Sequence, residues 1–112
     1  EGLETAVEFT KKGRALGYGT MGFASYLMRN NIEYGSMESF WKNKKIYSTI
    51  EAETKAASRW LAKELGEPEW CEGYGVRNTH LMAIAPTKST GLLMGGDSEG
   101  INVPSAFVFA QD

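Results

Sequence analysis

The chain has 112 residues, a formal net charge of −2, one cysteine and one histidine. This length allows one small domain, and the near-neutral charge argues against a protein that coats nucleic acid or an anionic membrane. A single cysteine excludes an internal disulfide, and together with a single histidine it excludes a Cys/His zinc site. No apolar run approaches the roughly 18 residues that span a bilayer. No signal peptide is visible, so we expect a cytoplasmic protein.

Hydrophobic periodicity predicts three helices in the first 65 residues. The first covers Leu3–Lys12, and the second starts at a Thr20 N-cap and ends near Asn31. The third covers Ser36–Leu65, where apolar residues recur at spacings of three and four, and we expect its aromatic stripe to lie in the core. Between the first two helices, Arg14–Tyr18 has the character of a short buried strand.

The remaining residues alternate between loops and short apolar elements. A loop over Glu67–Asn78 precedes the strand-length apolar run His80–Ala85, and a helix over Thr87–Met94 follows. A second loop, Asp97–Pro104, leads to another apolar strand at Ala106–Ala110. The pattern predicts an α/β chain that is mainly helical.

Nothing in the sequence divides the chain into domains. It contains no internal repeat, low-complexity tract or linker, so residues 1–112 are read as a single segment. The chain begins with Glu1 and ends just after an apolar run, and we therefore expect it to be part of a larger domain.

Two glycine-containing turns are candidate nucleotide sites. Gly17–Gly22 matches G-x-G-x-x-G and precedes a helix, but no second strand ending in an acidic residue follows at the spacing of a dinucleotide fold. The alternative is a tight turn that needs glycine for steric reasons.

The second candidate turn is Ala85–Gly91, where an apolar strand runs into proline and a hydroxyl-rich turn opens a helix. The first N–H groups of a helix attract phosphate, and Ser89 and Thr90 can donate hydrogen bonds while Lys88 adds charge. Thr87 stands where a Walker A loop needs glycine. The alternative is that the hydroxyl groups only cap their own helix.

Other polar residues give weaker signals. His80 has no partner carboxylate or thiol nearby in sequence and is interpreted as structural. Cys71 lacks a C-x-x-C partner and is interpreted as an unreactive thiol. The Asp97/Glu99 pair is interpreted as a solvated loop. Arg77 and Asn78 could either orient their loop or reach a ligand.

Three segments together resemble the large subunit of class I ribonucleotide reductases, and their sequences are most similar to those of phage-type members. Residues 77–90 follow the family pattern R-N-[ST]-x-L-x-A-x-x-P-[ST]-x-[ST]-[ST], and Gly100-Ile101 matches the start of its G-I-E-P segment. The earlier run Gly13–Phe23 is similar to the family's R-x-L-G-x-G strand and helix. Asn102 stands where the family has glutamate, so this chain carries no acidic side chain at that position.

The resemblance implies a place in a larger enzyme. It identifies the chain as a fragment from the C-terminal half of the large subunit and as part of its ten-stranded α/β barrel, with two βα pieces joined by a long helix. It implies that the diphosphate of a ribonucleoside diphosphate is held by Thr87, Lys88, Ser89 and Thr90, with Arg77, Asn78, Pro86 and Gly91 in support. Lys88 occupies a position that varies in the family.

The resemblance also implies what the chain lacks. The family's N-x-C-x-E pattern, which carries the radical cysteine, is absent from these 112 residues, so no catalytic residue is assigned and the chain alone is expected to be inactive. Reduction of ribonucleotides to deoxyribonucleotides would need the remainder of the large subunit, a radical-generating small subunit and a thiol reductant. No cofactor or metal is expected on this segment.

Two alternatives remain open. The chain could be a non-enzymatic helical interaction module, or an independent nucleotide-binding domain that uses Gly17–Gly22. Because barrel strands are buried on both faces, we also expect the isolated chain either to associate with itself or to adopt a rearranged, mainly helical fold.

Overall fold

The computed structural model describes residues 2–104, which contain four α-helices and one 3₁₀ turn. The helices are α1 (Glu4–Gly13), α2 (Phe23–Arg29), α3 (Met37–Leu65) and α4 (Lys88–Leu93), and the 3₁₀ turn covers Glu69–Cys71. The predicted helices are thus confirmed to within about two or three residues, the uncertainty expected at helix ends. The second helix differs in its cap, which is Gly22 rather than Thr20. None of the described helices is long and apolar enough to cross a membrane.

The chain forms two compact units, and α3 contributes to both. Among the described residues, unit one contains residues 2–18 and 46–83, and unit two contains residues 19–45 and 84–104. Each unit is described separately below.

In unit one, α1 is held by the 3₁₀ turn. The ring of Phe9 meets that of Trp70 edge to face, with centroids 4.8 Å apart, an arrangement that the ring quadrupoles favour. Gly13 ends α1 directly beneath Trp70, since a Cβ at Gly13 would lie 2.8 Å from the indole ring. Cys71 is buried in the same turn. The close approach of ring and backbone therefore requires glycine at the end of α1.

After α1 the chain pairs with the segment at residues 79–83. Tyr18 and Met82 form an isolated parallel β-bridge, in which Tyr18 N–H donates to Leu81 O at 2.9 Å and Ala83 N–H donates to Tyr18 O at 3.1 Å. Two residues earlier, Leu16 N–H donates to His80 O at 2.9 Å. From Leu16 to Tyr18 the first segment advances by two residues, whereas the carbonyl acceptors on the second segment advance by only one, from His80 to Leu81.

The expected strands at Arg14–Tyr18 and His80–Ala85 are not confirmed as regular strands in residues 2–104. The register shift between Leu16 and Tyr18 interrupts the evenly spaced bonds that a parallel ladder requires, as a bulge does. What remains is one bridge and its flanking hydrogen bonds. The expected strand at Ala106–Ala110 lies outside the described residues.

The prediction that the aromatic stripe of α3 is core is wrong for this chain. Trp41 and Trp60 are 57% and 60% exposed, whereas the buried residues of α3 are the small polar Ser39 and Ser58. Small side chains let neighbouring backbone segments lie close to the helix. Periodicity identified the helix correctly but not the face that is buried.

The loop after α3 is fixed by hydrogen bonds to charged side chains. The Arg77 guanidinium donates to the carbonyl groups of Leu65 and Gly66, at 3.0 and 2.9 Å, and so satisfies the C-terminal end of α3. The Glu67 carboxylate accepts the N–H groups of Gly73 and Gly75, at 2.8 and 2.7 Å. These hydrogen bonds act together with the apolar contacts of Trp70 and Cys71 to fix the path of the loop.

Ser58 links α3 to the end of that loop. Its side chain is 1% exposed, and its hydroxyl donates to Asn78 Oδ1 at 2.8 Å. Ser58 Oγ also accepts the backbone N–H groups of Arg77 and Asn78, at 3.2 and 3.1 Å. Asn78 in turn donates from Nδ2 to Arg14 O at 2.8 Å. One buried hydroxyl therefore supports the backbone that enters the paired segment.

Unit two has a small apolar core around α2. Phe23, Ala24, Leu27 and Ile32 are buried, and the ring of Phe23 meets Tyr34 edge to face with centroids 6.2 Å apart. The Ser36 hydroxyl accepts Ser39 N–H at 3.2 Å and caps α3, at the first residue of the helix predicted for Ser36–Leu65.

Replacing Ser58 should destabilise unit one. Ser58→Ala leaves the buried Asn78 N–H without its side-chain acceptor and Asn78 Oδ1 without its donor, which costs about 1–3 kcal/mol, while Arg77 N–H keeps Ser58 O as an acceptor at 3.2 Å. Glu53→Ala on an exposed position of the same helix should change stability by no more than about 0.5 kcal/mol. Urea unfolding followed by circular dichroism measures both. Equal midpoints for the two variants would contradict the role assigned to Ser58.

The isolated chain should associate with itself, because many large apolar side chains are exposed. On α3 these include Met37, Phe40, Trp41, Trp60 and Leu65, and apolar surface of this extent is typical of an interface. Light scattering should show an apparent mass that rises with concentration. The double substitution Trp60→Lys and Leu65→Lys should reduce the rise, whereas the control Glu64→Gln should not. A monomer at all concentrations would contradict this expectation.

Candidate functional site

The hydroxyl-rich turn of unit two begins α4. Thr87 is the N-cap residue, and the first helical hydrogen bond runs from Gly91 N–H to Thr87 O at 2.8 Å. Lys88, Ser89 and Thr90 form the first turn, and all three are exposed. In any helix the first N–H groups lack an intrahelical acceptor. The turn therefore presents a positive side chain, two hydroxyl groups and a helix terminus to the surface.

The conformation of Thr87 is unusual. Its φ is 52° and its ψ is 30°, in the left-handed region, which is unfavourable for a β-branched residue. Its Oγ1 accepts Gly100 N–H at 2.8 Å, a bond that links the turn to the loop after α4. A strained backbone persists only when its surroundings hold it in place.

Gly100 is required at the other end of this bond. Its φ is 44°, and a Cβ there would lie 2.7 Å from Ala85 O, closer than real Cβ atoms approach backbone. The loop therefore passes directly against the residues that precede Thr87. Together, the contact and the hydrogen bond fix the backbone on both sides of Pro86.

The loop of residues 97–101 is itself fixed by α2. Ser25 N–H donates to Ser98 Oγ at 3.1 Å, and Ser98 N–H donates to Ser25 Oγ at 2.9 Å. Gly22 N–H donates to Ser98 O at 2.9 Å. This loop therefore supplies the acceptors that the start of α2 needs.

Three further contacts hold the same loop. Arg29 pairs with Asp97 at 2.7 Å, and the Tyr34 hydroxyl donates to Ile101 O at 2.8 Å. A Cβ at Gly91 would lie 2.8 Å from Asp97 O, so α4 packs against the loop through a glycine. The position of α4 is thereby set by the loop that α2 anchors.

The sequence-predicted site residues fall into two groups. Pro86, Thr87, Lys88, Ser89, Thr90 and Gly91 lie together at the start of α4 in unit two. Arg77 and Asn78 lie in unit one, where their side chains bond to the end of α3, to Ser58 and to Arg14 O. Of the two interpretations that the sequence left open for them, these contacts correspond to orienting the loop.

The Gly17–Gly22 motif is engaged in structural contacts. A Cβ at Gly17 would lie 3.1 Å from Ala83 Cβ, which is the close approach that the steric interpretation expects. Gly22 has a φ of 80°, and its N–H already bonds to Ser98 O. A phosphate at the start of α2 would have to displace the Ser98 contacts with Gly22 and Ser25.

Within the described residues, neither His80 nor Cys71 belongs to a metal-ligand cluster. Within residues 2–104, no group of three His, Cys, Asp or Glu side chains could hold a metal ion. His80 Nδ1 lies 3.2 Å from Thr79 Oγ1, and Cys71 is buried as a free thiol. Neither lies beside a partner that would activate it.

Sequence reasoning missed Ser25, Tyr34 and Ser98, which hold the loop behind the turn. Ser25 and Ser98 are 73 positions apart, and each lies in an ordinary polar context. Gly100 was identified only as part of the G-I pair, and its sequence context alone shows no contact with Ala85. These contacts depend on tertiary packing, and no local pattern signals them.

Comparisons with known proteins give a consistent picture. The model of a family described as "Ribonucleotide reductase, barrel domain" matches residues 2–73 and 68–111. The structure is similar to the Actinobacillus ureae class Id ribonucleotide reductase alpha subunit, with a TM-score of 0.84 and 46% identity, covering 88% of this chain and 19% of that one.

Viral proteins are similar in sequence. The chain is 34% identical over 110 residues to the ribonucleoside-diphosphate reductase large subunit of Invertebrate iridescent virus 3, covering 98% of this chain and 18% of the viral protein. It is 41% identical over 90 residues to the putative large subunit of Frog virus 3 (isolate Goorha), covering 80% and 16%. The chain thus spans less than a fifth of the length of these relatives.

Proposed function

This chain belongs to the family of ribonucleotide reductase barrel domains, and from that premise we propose that it is a segment of a ribonucleoside-diphosphate reductase large subunit that holds the substrate diphosphate. The turn at residues 87–90 carries the proposal. It places two exposed hydroxyl groups and a lysine at the start of α4, on a backbone fixed by the Thr87–Gly100 bond. The similarity to large subunits supports the substrate class.

The chemistry of the turn suits a diphosphate. N–H groups at the start of a helix point toward a bound anion, and the helix dipole favours negative charge there. Ser89 and Thr90 can each donate an O–H to a phosphate oxygen, and such charge-assisted bonds are stronger than neutral ones. Lys88 adds a positive charge beside them. The turn would bind and orient the substrate and take no part in the redox chemistry.

The redox chemistry is proposed to reside elsewhere. Cys71 is the chain's one cysteine, and it is buried in the 3₁₀ turn of unit one. By family resemblance, reduction requires a radical cysteine and a redox pair of cysteines. These would come from the remainder of the large subunit, with a radical-generating small subunit and a thiol reductant. The proposed setting is the cytoplasm, where thiols are kept reduced.

A ribonucleoside diphosphate should perturb the turn of α4. Titration of the 112-residue chain with ADP or inorganic pyrophosphate should shift the amide resonances of residues 87–90. Ser89→Ala should weaken binding by about tenfold, the effect of losing one hydrogen bond to a charged group, whereas the exposed control Thr49→Ala should not. Shifts centred on Gly17–Gly22 would instead favour an independent nucleotide-binding domain, and no shifts would favour an interaction module.

The chain should not reduce ribonucleotides by itself. Incubated with a radical-generating small subunit, a dithiol and ADP, it should form no dADP above background, because it carries one thiol where the proposed chemistry needs three. Chromatography of the nucleotides measures the product, and a complete large subunit with its own small subunit is the positive control. Formation of dADP by the 112-residue chain would contradict the proposed division of labour.

A further inference from the structure

Thr87 plays a different part from its neighbours in the turn. Lys88, Ser89 and Thr90 are exposed, whereas Thr87 is half-buried and its Oγ1 accepts Gly100 N–H at 2.8 Å. A threonine hydroxyl has one donor and two acceptor sites. One acceptor site of Thr87 Oγ1 is therefore used by the loop that contains Gly100. The other hydroxyl groups of the turn have no comparable link to loop 97–101 among the hydrogen bonds of the described residues.

We propose that Thr87 is a positioning residue that sets the geometry of the diphosphate-binding turn through its bond to Gly100. The inference rests on the proposed function of the turn. It separates the four residues that the sequence grouped together: Thr87 holds the backbone, while Lys88, Ser89 and Thr90 face the substrate.

Backbone strain explains why a bond is needed at this point. A β-branched residue at a φ of 52° is strained, which favours relaxation toward an ordinary conformation. The Gly100 N–H bond opposes that relaxation. Because the carbonyl of Thr87 also accepts the first helical bond, from Gly91 N–H at 2.8 Å, rotation of Thr87 would tilt the start of α4 and redirect its N–H groups.

Gly100 can act as the fixed end of this link because loop 97–101 is anchored independently. Ser98 is bonded to Ser25 in both directions, and Ile101 O accepts the Tyr34 hydroxyl. Gly100 itself lies against Ala85 O, with no room for a Cβ. The turn is therefore held from two directions, by covalent connection through Pro86 and by the bond to Gly100.

The test perturbs the link from both ends and measures pyrophosphate affinity of the 112-residue chain by calorimetry. Thr87→Val keeps the β-branch and removes the acceptor, and Gly100→Ala forces the loop away from Ala85 without altering any hydroxyl group. Both should weaken pyrophosphate binding by roughly fivefold, the change expected for about one net hydrogen bond. Thr87→Ser, which retains the hydroxyl, should recover most of the lost affinity.

A matched control and a readout without ligand complete the test. Gly96→Ala introduces a side chain at a positive φ of 82°, compared with 44° at Gly100, but at a position where a Cβ meets nothing within 4 Å, and it should bind like the wild type. In the absence of pyrophosphate, Thr87→Val should speed hydrogen exchange of the Gly100 amide by roughly fivefold, whereas Ser89→Ala should not change it. Circular dichroism checks that each variant remains helical.

The outcomes distinguish a failure of the positioning role of Thr87 from a failure of the proposed diphosphate-binding function. If Thr87→Val weakens binding but Gly100→Ala does not, Thr87 is a direct ligand and the positioning role is wrong. If neither variant weakens binding to a chain that does bind pyrophosphate, the link is only structural and the positioning role is again wrong. If the wild-type chain binds no pyrophosphate, the proposed function itself fails, and the inference fails with it before any variant is compared.

Discussion

Each compact unit depends on a buried serine hydroxyl that accepts backbone N–H groups of a loop or a helix end. In unit one, Ser58 accepts the N–H groups of Arg77 and Asn78, and in unit two, Ser98 accepts that of Ser25. A buried N–H without an acceptor costs about as much as several well-packed methylene groups contribute. The cores of the described residues are small, so these hydroxyl groups, and not apolar volume, give the irregular segments their fixed paths.

The same constraint explains why so much of the site geometry is carried by glycine. Gly91 and Gly100 each bring a backbone carbonyl to a distance that a Cβ would prevent, and close backbone packing replaces side-chain packing around α4. A turn built in this way is rigid without being enclosed. Such an arrangement suits the proposed binding of a hydrated diphosphate through its surface oxygens.

Local sequence patterns predicted the helices and the chemistry of the turn, but not the tertiary contacts that shape either. The periodicity of α3 and the cap at Ser36 depend on neighbours three or four positions apart, so they are visible in one dimension. The buried face of α3 is not visible in this way. The large apolar side chains of Trp41 and Trp60 dominate the hydrophobic pattern, whereas the residue that is buried is the small polar Ser58. Arg14–Tyr18 and His80–Ala85 are each predicted as a strand, but neither their pairing through Tyr18 and Met82 nor the register shift that interrupts the ladder has a local signature.

The reciprocal bonds between Ser25 and Ser98 have an evolutionary consequence. Each residue gives its own N–H to the hydroxyl of the other, so a change at one position removes an acceptor that the other position's backbone still requires. Threonine satisfies the same need, and a side chain without an oxygen does not. The two positions should therefore change together across related sequences, as a covarying pair 73 positions apart, while the exposed residues between them drift independently.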